Sequence, residues 1–318
     1  MYYPYLRGKQ FELIAIRELI EEGLLSKHIM PLIEPVTLSP TLNSTLKLFI
    51  QNQHKIALIR NPAVGSFLED LKDESKERYI KEFGEIVEHE IIQAVYICNT
   101  SFDYRNKDIQ EKLNDNILIL KNPDVIKYLF KNEISAKYYC VPDERMFRRS
   151  IKEKRILLTD NFNKQEKNAN YEGEEFFSSD HLYYKDDGYD GFSDYSVIGE
   201  DYSESGFAPY AVAIHIVYFD EKNELRVIHF RSDTNHGPTN PAKKYNEAVI
   251  KLRDWYNKQV SSRGEEYVKK HIKSDALDEF IEHANTGNYS GLGVVKKLSV
   301  KHHLELLSRF FEGGLDHE

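Results

Sequence analysis

One pattern constrains this chain more than any other. Through its first two-thirds, short apolar runs recur, each ended by a polar residue and followed by a longer amphipathic stretch. The runs are Tyr3–Leu6, Met30–Pro35, Ile56–Arg60, Ala94–Asn99, Ile117–Lys121, Tyr138–Pro142 and Ile156–Asp160, with Tyr195–Gly199 as an eighth. Short apolar runs bounded by turn residues suit strands buried on both faces. The stretches between them read as helices. In "QFELIAIRELIEEGLL", Phe11, Ile14, Leu19 and Leu24 build an apolar face, and Glu18, Glu21 and Glu22 fall mostly off it. Ser39-Pro40, Asn122-Pro123 and Asn240-Pro241 each pair a capping side chain with a proline suited to a first helical turn, and Ser66 is a further candidate cap. Repeated strand–helix units imply a parallel sheet with helices outside it. Eight strands favour closure into a (β/α)8, TIM-like barrel. The alternative is an open doubly wound α/β sheet, against which stands the lack of a G-x-G-x-x-G turn after any strand.

The rhythm breaks after Asp160. Residues 161–194 form a long acidic excursion ahead of the expected eighth strand. A β-hairpin insertion follows over 208–233, where "YAVAIHIVYF" and "LRVIHFRSD" flank the turn "DEKNE". "NPAKKYNEAVIKLRDWYNKQ" reads as the outer helix that closes the barrel, and extra C-terminal helices occupy 274–312, within Asp275–Ala284 and Val300–Phe311. No linker rich in Gly, Ser or Pro divides the chain, so residues 1–318 read as a single barrel domain with insertions.

Composition narrows the function. The chain is 41% hydrophobic and 30% charged, which suits a packed fold and not disorder. Its formal net charge is -9, and residues 160–204 hold thirteen Asp/Glu against three Lys/Arg, so the rest is close to neutral. Nucleic acid is therefore an unfavoured partner; the basic stretch "ERMFRRSIKEKR" reads as a solvated helix face. The two cysteines, Cys98 and Cys140, lie in apolar runs as small buried hydrophobes. The start lacks an apolar signal region, and no run of about 18 apolar residues suits a membrane span, so the expected location is the cytoplasm.

In a barrel of this class, chemistry belongs to the loops at the C-terminal ends of the strands. Those ends carry Arg7 and Lys9, Glu34, Arg60 and Asn61, Asn99, Lys121 and Asn122, Asp143 to Arg145, Asp160, and Glu200 and Asp201. Cations gathered at one mouth suggest an anionic ligand, since arginine offers a planar fork to phosphate or carboxylate and lysine a point charge. Gly8 would let the backbone approach it. Glu34, Asp143 and Asp160 are the candidate acids and bases, or ligands for a divalent metal. A ring of structural salt bridges fits the same residues, and both accounts stand at this point.

Other chemistries find less support. Asp186, Asp187, Asp190 and Asp194 cluster near glycines but miss the calcium-loop spacing. His215 and His229 sit on the hairpin, and His302-His303 in the last helix, with no H-E-x-x-H and no C-x-x-C. No site residue is assigned to a metal. Neither a G-x-S-x-G elbow nor a G-x-x-x-x-G-K-[ST] phosphate loop is present.

"MYYPYLRGKQFELIAIREL", "PLIEPV", "FFSSDH", "GYDGFSDYSVIG" and "AVAIHIVYF" together resemble an uncharacterised bacterial family related to the phage "beta protein" family. The resemblance covers nearly the whole chain and implies a role in phage defence or phage–host conflict. It points to Tyr3, Pro4, Arg7, Lys9, Glu12, Glu34, Asp194 and Tyr195, without supplying catalytic roles. The expectation is a barrel with an anion-binding mouth that hydrolyses a phosphodiester, in a phosphate-bearing small molecule or nucleotide. Arg7, Lys9, Arg60, Lys121, Asn99 and Tyr195 would bind the ligand, and Glu34, Asp143 and Asp160 would catalyse. The alternative is a non-catalytic recognition or scaffold protein that binds a partner encoded nearby or a phage component.

Overall fold

Eight parallel strands follow one another round a single sheet in chain order. They are β1 (Tyr5–Leu6), β2 (Leu32–Ile33), β3 (Ile56–Ile59), β4 (Ile92–Cys98), β5 (Ile117–Leu120), β6 (Tyr138–Val141), β7 (Arg155–Thr159) and β9 (Gly191–Asp194). The computed structural model describes residues 1–98, 107–204 and 209–314. The sheet closes where Tyr2 bridges Phe192 and the Tyr3 N–H donates to the Phe192 carbonyl at 2.8 Å. The fold is thus a (β/α)8, TIM-like barrel, and the open doubly wound alternative is set aside. Helices α1 (Gln10–Glu21) to α8 (Asp180–Tyr183) lie between the strands in sequence. Ser39 caps α2 (Pro40–Gln51) as expected, accepting from the Leu42 N–H at 3.2 Å.

The eighth strand differs from expectation. It is Gly191–Asp194, and the expected Tyr195–Gly199 instead begins with a short 3₁₀ turn, Ser196–Ile198. The more apolar run misled the reading because this strand turns small residues inward. A Cβ on Gly191 would stand 2.7 Å from the Met1 carbonyl oxygen and from the Tyr3 ring, so the interior there is already filled. The excursion over 161–194 accordingly contains the eighth strand, and also β8 (Glu174–Ser178).

Residue contacts sort the chain into two compact units. The first, Met1–Leu13, Lys27–Asp160 and Asp180–Tyr195, holds the barrel strands. The second comprises Ile14–Ser26, Asn161–Ser179 and Ser196–Glu318. There the hairpin forms as expected from β10 (Ala213–Phe219) and β11 (Leu225–Arg231), and β8 adds a third antiparallel strand.

The helix over Pro241–Arg263, α9, does not close the barrel as the sequence suggested. It belongs to the second unit, where its Tyr245, Ala248, Val249 and Leu252 share one apolar cluster with Ile214 and Ile216 of β10. One face of the hairpin alternates apolar residues, and a helix is what covers it. Asn240 adopts a left-handed backbone and makes no side-chain cap, so the cap reading fails at this position. After α10 (Glu265–His271), α11 (Asp275–Thr286) and α12 (Leu292–Arg309) supply the expected C-terminal helices. Among the described residues no helix is long and apolar enough to cross a membrane.

Within the second unit, α12 buries polar side chains that are hydrogen-bonded. The His302 Nε2–H donates to the Val217 carbonyl at 2.7 Å, and the Ser274 hydroxyl donates to Nδ1 at 2.6 Å. Ser274 also accepts from the Leu277 N–H at the start of α11. Burial pushes the His302 pKa down to about 4. Between the ordinary value near 6.5 and about 4, the unfolded chain takes up a proton that folded His302 refuses. Stability should therefore fall as pH drops through that window, by about 3 kcal/mol from this residue, and level off below it. Urea unfolding of wild type and His302→Gln from pH 7 to pH 4 measures this, as about 3 kcal/mol of pH dependence that the variant loses.

Candidate functional site

Strand side chains alternate between the two faces of a sheet, so each barrel strand sends every second residue inward. The buried interior contains Tyr3 and Tyr5 of the first strand and its approach, and Met30 and Leu32 of the second. Ala57 and Ile59, Ile117 and Ile119, Ile156 and Leu158 continue it on β3, β5 and β7, and Tyr195 follows β9. Continuing the same alternation one step beyond these apolar layers selects Arg7, Glu34, Asn61, Lys121 and Asp160. It passes over Arg60 and Asp143.

Glu34 is fully buried and Arg7 nearly so. They form an ion pair through Arg7 Nη1 and Glu34 Oε2. The Tyr5 hydroxyl donates to the same oxygen at 2.7 Å, and the Ala63 N–H donates to Glu34 Oε1 at 2.7 Å. Both carboxylate oxygens are thereby held. Burial, and next the Glu34 charge, hold the Tyr5 phenol well above its ordinary pKa. Burial opposes the charge of Arg7, but Tyr5, Glu34 and Tyr195 outweigh it and raise its pKa.

The Arg7 guanidinium carbon lies 5.1 Å from the Tyr5 ring centre and 5.3 Å from that of Tyr195. Those two rings stand 4.7 Å apart. Lys121 Nζ donates to the Tyr195 hydroxyl at 2.9 Å and lies 5.4 Å from its ring centre. Two cations thus lie against one phenol, and a carboxylate anchors one of them.

The local backbone makes this arrangement reachable. Gly8 has φ +62°, and a Cβ there would stand 3.1 Å from Ile33 Cγ2 and 3.2 Å from the Glu34 carbonyl oxygen. Glycine satisfies both limits, and the chain turns at once into α1. Lys9, half-buried on that turn, uses its carbonyl to accept the Glu12 and Leu13 N–H groups.

Several expected residues lie elsewhere. Arg60 has outward parity, and its guanidinium donates to the Val87 carbonyl. It lines an outer groove with Phe67, Phe83, Glu88 and Tyr96 and does not join the mouth. Asp143 follows the inward-parity Pro142; it accepts from Arg148 at 2.7 Å and from the Tyr189 hydroxyl at 2.7 Å. Asp160 keeps the inward parity and is exposed at the end of β7. Asn99 lies outside the described residues. Asp194, expected beside Tyr195, is buried with the opposite parity and accepts from the Tyr2 hydroxyl at 2.7 Å.

The acidic residues of the excursion do not converge. Asp186 and Asp187 are exposed, and Asp190 accepts from the Arg155 N–H at 3.0 Å. Among the described residues no group of three His, Cys, Asp or Glu could hold a metal ion. Sequence reasoning missed Tyr5, whose signal was its place two residues before Arg7 on the inward face, and the Ala63 N–H, which left no signal.

Removing one member of a buried ion pair costs about 3–5 kcal/mol, because the other charge is stranded. Glu34→Gln should lose roughly that amount in urea unfolding, while Arg7→Met combined with Glu34→Leu should be no less stable than Glu34→Gln alone. A double variant clearly less stable than the single one would contradict this account. No family model, no curated protein and no solved structure matches the chain.

Proposed function

We propose that the barrel mouth binds a phosphate-bearing small molecule or nucleotide. The observation that carries this reading is the pair of cations, Arg7 and Lys121, each within 5.4 Å of the Tyr195 ring centre. An arginine fixed by a buried carboxylate does not have to reorganise to meet an anion, and a lysine at an exposed rim can follow it in. Phosphodiester hydrolysis is the reaction class we assign. In that reading Glu34 positions Arg7, since its oxygens are already engaged by Arg7, Tyr5 and Ala63. Asp160, at the exposed end of β7, is the third carboxylate among the expected catalytic residues. The setting of phage defence or phage–host conflict is supported by the resemblance of the opening motif and of "GYDGFSDYSVIG".

One observation favours recognition without turnover. Two of the three expected acids, Glu34 and Asp143, are committed to Arg7 and Arg148. Binding and cleavage are therefore tested separately. Pyrophosphate or AMP at about a hundred times its Kd should raise the wild-type Tm by roughly 5 °C or more. Lys121→Ala should weaken binding about 10- to 100-fold, the worth of one charge-assisted hydrogen bond. Arg60→Ala should leave it unchanged. The binding reading fails if neither probe shifts wild type, or if Arg60→Ala and Lys121→Ala behave alike.

A further inference from the structure

We propose that the substrate of this mouth is a single strand of nucleic acid, held beyond the mouth by the exposed basic segment over residues 145–154. The proposal deepens the phosphate reading above and rests on it. The segment opens directly after β6 with α7 (Arg145–Ser150) and closes at the start of β7. β5 and β6 are neighbours in the barrel, so Arg145 follows the strand next to the one that ends at Lys121. A helix that follows a barrel strand runs back along the outside, so the cations of this segment lead away from the mouth.

Two buried side chains, Phe147 and Ile151, anchor the segment. Their spacing leaves Arg145, Arg148, Arg149, Lys152 and Lys154 exposed. Residues 145–154 hold these five cations against one acid, Glu153. Arg148 is answered by Asp143, which accepts from its Nη1 at 2.7 Å. Lys152 Nζ donates to the Arg148 carbonyl at 3.3 Å, a bond that leaves its charge uncancelled. Among the described residues, Arg145, Arg149, Lys152 and Lys154 have no carboxylate within ion-pair distance. The neighbouring acids, Glu144 and Glu153, are exposed and pair with none of them.

The formal net charge of -9 weighs against nucleic acid only if charges act at long range. At physiological salt the screening length is about 8 Å, so a phosphate strand responds to the cations near it and not to the total. Apolar groups are exposed here as well: Phe130 of α6 (Asp124–Lys131) is 47% exposed and Met146 of α7 is 50% exposed. Unstacked bases rest on such side chains while their backbone follows positive charge. A duplex keeps its base faces stacked inside and gains nothing from them. A lone phosphate is too short to use the segment, because the six residues of α7 alone span about 9 Å.

The experiment is fluorescence anisotropy with a fluorescein-labelled oligothymidylate of about ten nucleotides, the span of a small single-strand site. Wild type should bind it, with log K falling against log salt at a slope of about -2 to -3, as when three or four phosphates are neutralised. Arg149→Ala combined with Lys152→Ala should weaken binding about 10-fold and make the slope shallower by about 1.4, the worth of two such contacts. Its Tm should match wild type, since both positions are exposed and the Phe147 and Ile151 anchors are intact. Replacing two exposed cations elsewhere, Lys72→Ala with Lys81→Ala, should leave strand binding unchanged.

One comparison separates this segment from the mouth. Arg149→Ala with Lys152→Ala should leave stabilisation by AMP or pyrophosphate intact, whereas Lys121→Ala should weaken both the small probes and the strand. The proposal is overturned by a wild type that does not bind the strand, by a loss no greater than that of the Lys72 and Lys81 variant, or by equal affinity for a duplex of the same length. Preferential binding of phosphatidylserine vesicles through Arg149 and Lys152 overturns it too, by making the segment a membrane surface. If AMP or pyrophosphate stabilises wild type in any of these cases, the phosphate reading survives. If the strand binds through Arg149 and Lys152 but neither small probe stabilises wild type, the phosphate reading fails and the strand is not the substrate of the mouth.

Discussion

The buried pairing of Arg7 with Glu34 is the interaction on which the mouth depends. A guanidinium and a carboxylate removed from water each lose several kcal/mol of hydration, so they persist only when their remaining hydrogen-bonding positions are largely met. The barrel meets them from separate elements: Tyr5 from β1, the Ala63 N–H from the segment after β3, and the Tyr5 and Tyr195 rings flanking the guanidinium. Each partner is also fixed from below by apolar layers that admit little rearrangement. The ion pair therefore does more to orient Arg7 than to stabilise the fold, and orientation is what recognition of a phosphate fork requires.

Closure of the sheet sets which residues can take part. In an open sheet both faces of every strand would be equivalent beneath their helices. In a cylinder the inward face is one small shared space, and neighbouring strand ends with inward parity are brought together there. Arg60 and Glu34 end adjacent strands, yet the first reaches the Val87 carbonyl and the second meets Arg7. One residue of register separates a rim cation from an outer-surface cation.

That single residue also marks how far the sequence could be read. The strand–helix rhythm, seven of the eight barrel strands, the hairpin and the C-terminal helices were legible because hydrophobic periodicity records burial directly. The eighth strand was not, since Gly191 and Ser193 occupy inward positions that Tyr3 crowds, and small residues leave no apolar signature. The destination of α9 was hidden for another reason: its apolar stripe shows that it packs on something, without saying whether on a barrel or on the hairpin sheet. At the mouth, Arg7, Glu34 and Lys121 came from the rule that strand ends carry chemistry, and Tyr195 from the resemblance of "GYDGFSDYSVIG". Arg60 and Asp143 came from the same rule and failed, because the rule says where a residue sits along the strand and only parity says which way it faces. A count of two from the last apolar inward residue separates Arg7 and Lys121 from Arg60.

The division of labour among the acidic groups follows from how each is solvated. Glu34 is buried and meets three donors, so it is committed to a network spanning the first three strands and their loops. Asp143 faces Arg148 and Tyr189 at the surface of the barrel, where water competes for every contact. A proton that moves during a reaction has to come from a group whose two forms both fit their surroundings. Tyr5 does not meet that condition, because its phenolate would face the Glu34 charge. The Tyr195 ring beside it lies against both cations of the mouth, Arg7 and Lys121.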